Sequence, residues 1–236
     1  MTSIQQVSET CLLVTWGNEI DVKLTAKIAQ FVHQVELQMA EVFIEIVPSY
    51  CTVLLQVNLA NVDSYHQVIS VIADLERICA QVEQSDVLSF SHQKTIVLPV
   101  YYHPSVGPEL ETIADSLGCE IAEVVKRHYQ QTYTVCALGF APGFAFLASV
   151  DDKIAVPRLS TPRHKIPAGS VGIANQQTAV YPADSPGGWQ IIGNCPQPLF
   201  FPNQQPMTPF NIGDKVQFEP IDRGTFLNLG GKLWQS

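Results

Sequence analysis

One stretch of the chain, from Lys153 to Ala183, carries basic side chains but no aspartate or glutamate. Its cations are Lys153, Arg158, Arg163 and Lys165. Several prolines stiffen the stretch, so its guanidinium groups are presented at a low cost in conformational entropy. Arginine forks suit carboxylates and phosphates, which indicates a site for a small anion in a protein of formal net charge −9. The alternative is a solvated loop whose arginines pair with distant acidic residues.

Two glycine-containing turns lie within and just after this stretch, at residues 168–172 (Ala-Gly-Ser-Val-Gly) and 185–189 (Ser-Pro-Gly-Gly-Trp). Glycine lets a backbone approach a ligand closely and point N–H groups at an anion. Upstream, residues 139–147 place three phenylalanines around a tight turn and predict an apolar pocket wall, although ordinary turn packing gives the same pattern. Trp189 could stack on a ligand or fill a core. The residues predicted to contact substrate or phosphate are Gly143, Phe144, Pro167, Gly169, Ser170, Tyr181, Pro186, Gly187, Gly188 and Trp189.

The predicted acid–base group is His128, because it ends a helix that leads into the glycine-rich wall and histidine titrates near neutral pH. A lone helical histidine is also commonly a surface or core residue. Ser170 is predicted to hydrogen-bond the substrate and not to act as a nucleophile, since its turn lacks the first glycine of G-x-S-x-G and precedes a strand. The P-loop and Rossmann glycine motifs are both absent from the sequence.

The composition narrows the class of protein. The 236 residues are 46% hydrophobic and 15% charged, which predicts one large or two modest folded domains and argues against disorder. The net negative charge argues against a general nucleic-acid binder. The sequence shows no signal peptide and no apolar run long enough for a membrane span, so we expect a cytoplasmic protein. Its six cysteines are scattered without metal-ligand spacing, so we expect no metal site.

Glycine and proline divide the chain into two parts. Residues 1–98 hold one of the 14 glycines and one of the 16 prolines, and the others follow. Hydrophobic spacing in the first part predicts strands and helices in the order βαββαβ. Their bounds are strand Cys11–Trp16, helix Ile20–Met39, strands Phe43–Val47 and Thr52–Val57, a helix capped by Asp63 or Ser64 and reaching about Val82, and strand Thr95–Tyr101. This order predicts a ferredoxin-like α/β domain.

The second part begins with two predicted short helices, Glu109–Leu117 and Ile121–Gln131, that break at Gly118. From Tyr133 onward helical periodicity disappears, and short apolar runs alternate with turns. This pattern is typical of a small β-barrel or sandwich. The sequence therefore predicts an α+β protein with a ferredoxin-like domain at 1–94 and a β-barrel domain at 95–236 that carries the ligand site.

Several motifs of the second part are long and unusual. They include residues 139–144 (Gly-Phe-Ala-Pro-Gly-Phe), 166–173 (Ile-Pro-Ala-Gly-Ser-Val-Gly-Ile) and 185–189 (Ser-Pro-Gly-Gly-Trp). In type and order they resemble the KipI / allophanate hydrolase subunit 1 family, over about residues 95–220. The resemblance implies a C-terminal cyclophilin-like β-barrel behind a smaller α/β domain.

The resemblance also implies a function. Bacterial members of the family are understood as the PxpB component of an ATP-dependent 5-oxoprolinase, a hydrolase that converts 5-oxoproline, ATP and water to L-glutamate, ADP and phosphate. The implied partners are a KipA-like protein and a LamB/YcsF-like protein, which are the other two components of the enzyme. ATP is the implied co-substrate, with any Mg²⁺ held elsewhere in the complex. We expect the catalytic residues to be His128, Arg158, Arg163 and Lys165, the last three holding phosphate or the substrate carboxylate.

The sequence departs from the family pattern at two places. Residues 194–196 read Asn-Cys-Pro where many members have Arg-Thr-Pro, and residues 101–108 form an atypical entry to the first helix of the second part. Two other functions remain alternatives, namely a regulatory protein that inhibits a sensor histidine kinase and a component for allophanate or urea breakdown.

Overall fold

A computed structural model describes residues 2–19, 21–62, 65–85 and 94–234. The chain divides into two compact units, Met1–Gln93 and Lys94–Ser236. The predicted first residue of the first helix, Ile20, and the predicted caps Asp63 and Ser64 lie outside the described residues. None of the helices in the described ranges is both long and apolar enough to cross a lipid bilayer.

The first unit is a four-stranded antiparallel sheet with two helices. Its elements are β1 (Ser3–Gln6), β2 (Cys11–Thr15), α1 (Val22–Gln38), β3 (Phe43–Pro48), β4 (Thr52–Val57) and α2 (Tyr65–Gln84). The strands are ordered β1-β2-β4-β3. Alternate residues of β2 and β4, such as Leu12, Val14, Val53 and Leu55, are buried, as expected for a strand with one face in a core. Helix α1 buries Ile28, Phe31 and Val35 at helical spacing.

The second unit is dominated by a seven-stranded sheet. Its elements are β5 (Thr95–Val100), α3 (Leu110–Leu117), α4 (Ile121–Tyr129), β6 (Thr132–Leu138), β7 (Ala145–Ala148), β8 (Arg163–Ile166), β9 (Ser170–Ala174), β10 (Gln177–Val180), β11 (Ser185–Gly187), β12 (Gln190–Asn194), β13 (Lys215–Pro220) and α5 (Arg223–Asn228). The large sheet has the order β12-β9-β10-β7-β6-β13-β5, and β8 pairs with β11 beside it.

The two ends of the large sheet meet. Just beyond β5, the backbone of Tyr101 exchanges two hydrogen bonds with Asn194 at the end of β12, with N–O distances of 2.9 and 3.0 Å. This bridge nearly closes the sheet into a barrel, whose core holds Val135, Leu147 and Ile173. The coarse expectation of an α+β chain with a β-barrel in its second part is confirmed, whereas the cyclophilin-like description stays a prediction.

The ferredoxin-like order of the first unit is not confirmed. The strand predicted at Thr95–Tyr101 does form, as β5, but it pairs in parallel with β13 in the second unit's sheet. In the first unit β1 lies beside β2, and the observed order is ββαββα. Strand β1 reads Ser-Ile-Gln-Gln and is largely exposed, so its hydrophobic pattern gives no signal for a strand.

Candidate functional site

Arg163, at the start of β8, is bound to an acidic residue of its own unit. Its Nη2 donates to Oε1 of Glu109, a carboxylate that is only 6% exposed. The other carboxylate oxygen accepts the backbone N–H of Ile191 at 2.7 Å. The guanidinium also lies over the ring of Trp234, 5.6 Å from its centroid. Arg163 is therefore held by Glu109 and Trp234, which matches the alternative of an arginine paired with a distant acid.

The other two cations predicted to be catalytic, Arg158 and Lys165, are exposed to solvent. Lys165 Nζ lies 2.8 Å from Oδ2 of Asp184, and Oδ1 of the same carboxylate accepts the backbone N–H of Ala168 at 2.9 Å. These hydrogen bonds, with the charges of Lys165 and Lys232, lower the pKa of Asp184. Arg158 lies over the ring of Trp189 at 5.9 Å. Asp184, the first residue after the acid-free stretch, therefore pairs with one of its cations.

The turn at residues 168–170 uses its N–H groups internally. Gly169 donates to the carbonyl of Tyr181 at 2.7 Å, and Ser170 donates to the carbonyl of Pro167 at 3.2 Å. Ala168 donates to Asp184, as described above. The Ser170 side chain is fully buried, and its Oγ has no hydrogen-bond partner among the described residues. This geometry argues against the predicted role of the turn as a set of N–H donors to an anion.

The predicted aromatic contacts form a buried cluster of the second unit. Phe144 lies edge-on to Tyr181 and Trp189, with ring centroids 5.4 and 5.8 Å away. Gly187 packs so closely that a Cβ would come within 2.5 Å of the Tyr181 hydroxyl. Gly143 has φ +83°, which favours glycine. Pro186 is exposed, and the Gly188 carbonyl accepts the N–H of Leu159. Phe144, Tyr181 and Trp189 therefore fill a core, as one of the two sequence interpretations allowed.

His128 lies inside the second unit and is fully buried. Its Nδ1 is 2.8 Å from the Tyr102 hydroxyl, and its Nε2 is 2.8 Å from Oγ1 of Thr178. Because the Thr178 hydroxyl donates its one proton to the Gly172 carbonyl, His128 Nε2 must be the donor to Thr178 and Nδ1 the acceptor from Tyr102. Burial lowers the pKa of His128 to about 3. A neutral, enclosed imidazole argues against the predicted acid–base role.

We expect this burial to make stability depend on pH. The folded pKa of about 3 lies below the ordinary 6.5, so between these values the unfolded chain binds a proton that the folded chain does not. The contribution of neutral His128 to the free energy of unfolding is complete above pH 6.5. It is lost as the pH falls towards 3, by about 1.4 kcal/mol per pH unit. Urea unfolding at several pH values should show that His128→Gln flattens this slope by one proton. Parallel curves for the two proteins would contradict the assignment.

A cavity of about 930 Å³ lies beside the β8–β9 turn. Three residues of the predicted site line it, namely Lys165, Pro167 and Gly169. Asn194 and Cys195, which depart from the family pattern, also line it, and the lining residues that the sequence interpretation missed include Asp184, Lys232 and Trp234. Lys232 and Trp234 belong to residues 230–234, which we call the C-terminal segment. The sequence of this segment, Gly-Gly-Lys-Leu-Trp, holds one pattern that could have indicated its role, the pair of glycines before a lysine and a tryptophan.

Comparison with known proteins agrees with the sequence resemblance. The family model described as carboxyltransferase domain, subdomain C and D, matches residues 2–210. The B component of 5-oxoprolinase from Bacillus subtilis (strain 168) is 35% identical over 224 residues, which cover 92% of each chain.

Solved structures show the same architecture. The uncharacterized protein PH0987 from Pyrococcus horikoshii is 38% identical, with a TM-score of 0.56 over 95% of this chain and 100% of that one. The structure of TTHA0988 is 25% identical, with a TM-score of 0.76. The match covers 90% of this chain and 40% of the longer TTHA0988 chain. The match over residues 2–210 and the identity to a curated relative along most of its length show that this chain belongs to the carboxyltransferase-domain family of subdomains C and D, the KipI family.

Proposed function

We propose that this chain is the PxpB component of an ATP-dependent 5-oxoprolinase. The observation that carries the proposal is the 35% identity to the B component of the Bacillus subtilis 5-oxoprolinase over 92% of both chains. The Bacillus subtilis relative is named as one component of an enzyme, and such a component works in an assembly. We propose a KipA-like protein and a LamB/YcsF-like protein as the partners of this chain. ATP is the proposed co-substrate and 5-oxoproline the amide substrate.

The proposed reaction activates an unreactive lactam. The lactam oxygen attacks the γ-phosphorus of ATP and ADP leaves, so the lactam carbon becomes electrophilic. Water then adds to this carbon, and the C–N bond breaks as the nitrogen takes a proton. A second water releases phosphate from the resulting acyl phosphate and leaves L-glutamate. Within this scheme the chain's own residues bind and orient the anionic reactants, which is the kind of work that fixed cations perform.

The cations of the basic stretch divide between two proposed roles. Lys165 and Arg158 are exposed, so they can contact an anionic reactant directly. Lys165 uses one of its three N–H donors on Asp184 and keeps the others for a ligand. Arg163 is held by Glu109, so we propose that it fixes the position of β8 rather than binding phosphate. If Arg163→Ala lowers activity, we expect the cause to be displacement of β8 and not the loss of a contact with phosphate.

A reconstituted complex tests the proposed function. We expect the chain, co-expressed with both partner proteins, to form glutamate from 5-oxoproline together with ADP, and to form none when ATP is left out. Lys165→Gln should raise the KM for 5-oxoproline about tenfold, since a hydrogen bond to a charged group is worth roughly 1.5–3 kcal/mol. Lys126→Gln, which changes an exposed lysine on α4 that does not line the cavity, is the control.

Two results would contradict the proposal. One is a stable complex of all three proteins that forms no glutamate from 5-oxoproline and ATP. The other is inhibition of a sensor histidine kinase by the purified chain in the absence of such turnover, which would favour the regulatory alternative.

A further inference from the structure

The C-terminal segment forms a fixed wall of the cavity. The backbone N–H of Trp234 donates to the carbonyl of Ser105 at 3.0 Å, and its indole packs against the clusters around Tyr101 and Trp189. Gly231 lies so close to Phe226 that a Cβ would come within 2.3 Å of the ring. Arg163 stacks on the Trp234 indole. These contacts hold Lys232, between Gly231 and Trp234, at the edge of the cavity.

The charges in the cavity favour a ligand with a single negative charge. Among the described residues that line it are two lysines, Lys165 and Lys232, and one carboxylate, Asp184. The lowered pKa of Asp184 keeps this carboxylate ionised at neutral pH. Two positive charges and one negative charge leave a net charge of +1. A monoanion balances this charge, whereas the triphosphate of a nucleotide exceeds it.

The backbone around the cavity favours a carboxylate over a phosphate. Phosphate sites gather free backbone N–H groups at helix N-termini or in glycine-rich nests. Here the N–H groups of Ala168, Gly169 and Cys195 are bonded within the protein. The other lining residues include four prolines, which carry no N–H: Pro167, Pro182, Pro196 and Pro198. Several N–H groups around the cavity are therefore already used, whereas the side chains of Lys165 and Lys232 suffice for the two oxygens of a carboxylate.

Trp234 offers one further donor. Its Nε1 is buried and has no hydrogen-bond partner in the part of the chain that the structure describes. Buried donors in folded proteins are normally paired, so an unpaired indole N–H on a residue that lines the cavity is a candidate donor to a ligand oxygen. The proline rings that line the cavity give apolar surfaces that suit a small ring.

We propose that this cavity binds the carboxylate of the lactam substrate between Lys165 and Lys232, with the Trp234 N–H donating to an oxygen of the same molecule. This inference rests on the proposed function and assigns the substrate to one cavity of this chain. The volume of about 930 Å³ lies within the range of small-molecule sites. Lys232 and Trp234 lie beyond residue 210, where the family match ends.

The test measures steady-state kinetics of the reconstituted complex and 5-oxoproline binding by the full chain. Lys232→Gln should raise the KM, and the dissociation constant of 5-oxoproline, about tenfold with little change in kcat. Trp234→Phe keeps a ring but removes the N–H, and should raise both about fivefold. Lys126→Gln should leave both within about twofold, because exposed charges outside the site have small effects. Thermal unfolding shows that each variant is folded.

The outcomes separate this inference from the proposed function. An active complex whose KM is unchanged by Lys232→Gln overturns the inference and leaves the proposed function intact. An inactive complex whose chain binds 5-oxoproline in a Lys232-dependent way supports the inference and contradicts the function. The absence of both turnover and binding overturns both. Inorganic phosphate is the competing probe, and Lys232-dependent binding of phosphate without binding of 5-oxoproline overturns the carboxylate assignment.

Discussion

Replacing Gly169 with alanine should lower the free energy of unfolding by about 3 kcal/mol or more. The residue has φ +81°, a backbone conformation that strains any side chain by roughly 1–2 kcal/mol. In addition, the new Cβ would lie 2.3 Å from the carbonyl oxygen of Cys195 and 2.7 Å from Oδ1 of Asn194. Overpacking of this kind costs about 1–3 kcal/mol. Neither neighbour can retreat easily, because Cys195 donates to Gly169 and Asn194 closes the barrel with Tyr101.

Gly118→Ala is the matched control. Gly118 ends helix α3 in the same left-handed region, with φ +63°, but no atom lies within 4 Å of the position of its Cβ. We expect only the backbone strain there, about 1 kcal/mol. Urea unfolding of the two variants and the wild type measures the difference directly. Equal losses for both glycines would show that the close contacts at Gly169 relax, and the tight packing of the turn would then not matter for stability.

Local signals in the sequence predicted most elements but not their partners. Hydrophobic spacing identified β2, α1, β3, β4 and the two helices after Glu109, because each of these buries a regular set of apolar residues. It missed β1, three of whose four residues are polar. It also counted β5 as the last strand of the ferredoxin-like order, because the partner of Thr95 is Lys215, 120 residues away, and periodicity contains no information on pairing at that distance.

The candidate site was predicted in part for a similar reason. Lys165, Pro167 and Gly169 were found because their types and spacing are unusual, and they line the cavity. The acids that pair with the basic stretch were missed. Asp184 follows the stretch directly and pairs with Lys165, and Glu109 lies 54 residues before its partner Arg163. Only the fold shows that these two cations are paired. The C-terminal segment was missed because its contribution depends on how it packs against Ser105 and Phe226.

The ion pair between Glu109 and Arg163 should contribute strongly to stability. Glu109 joins the entry to α3 to β8 through Arg163 and to β12 through Ile191, so its removal affects three elements at once. Glu109→Gln leaves the guanidinium without a countercharge, and Arg163→Met leaves a buried carboxylate unpaired. Each should cost about 3 kcal/mol, the low end for a broken buried pair, because the Arg163 side chain is 28% exposed.

A double-mutant cycle in urea unfolding measures the pair itself. If the two residues act together, the double variant is less destabilised than the sum of the single variants by about 2 kcal/mol, since removing both leaves no isolated buried charge. The exposed pair Lys165–Asp184, with side chains 70% and 51% accessible, is the control and should show a coupling of about 0.5 kcal/mol or less. Additive losses for Glu109 and Arg163 would mean that their contact contributes no more than a surface pair, and that Trp234 alone holds the arginine in place.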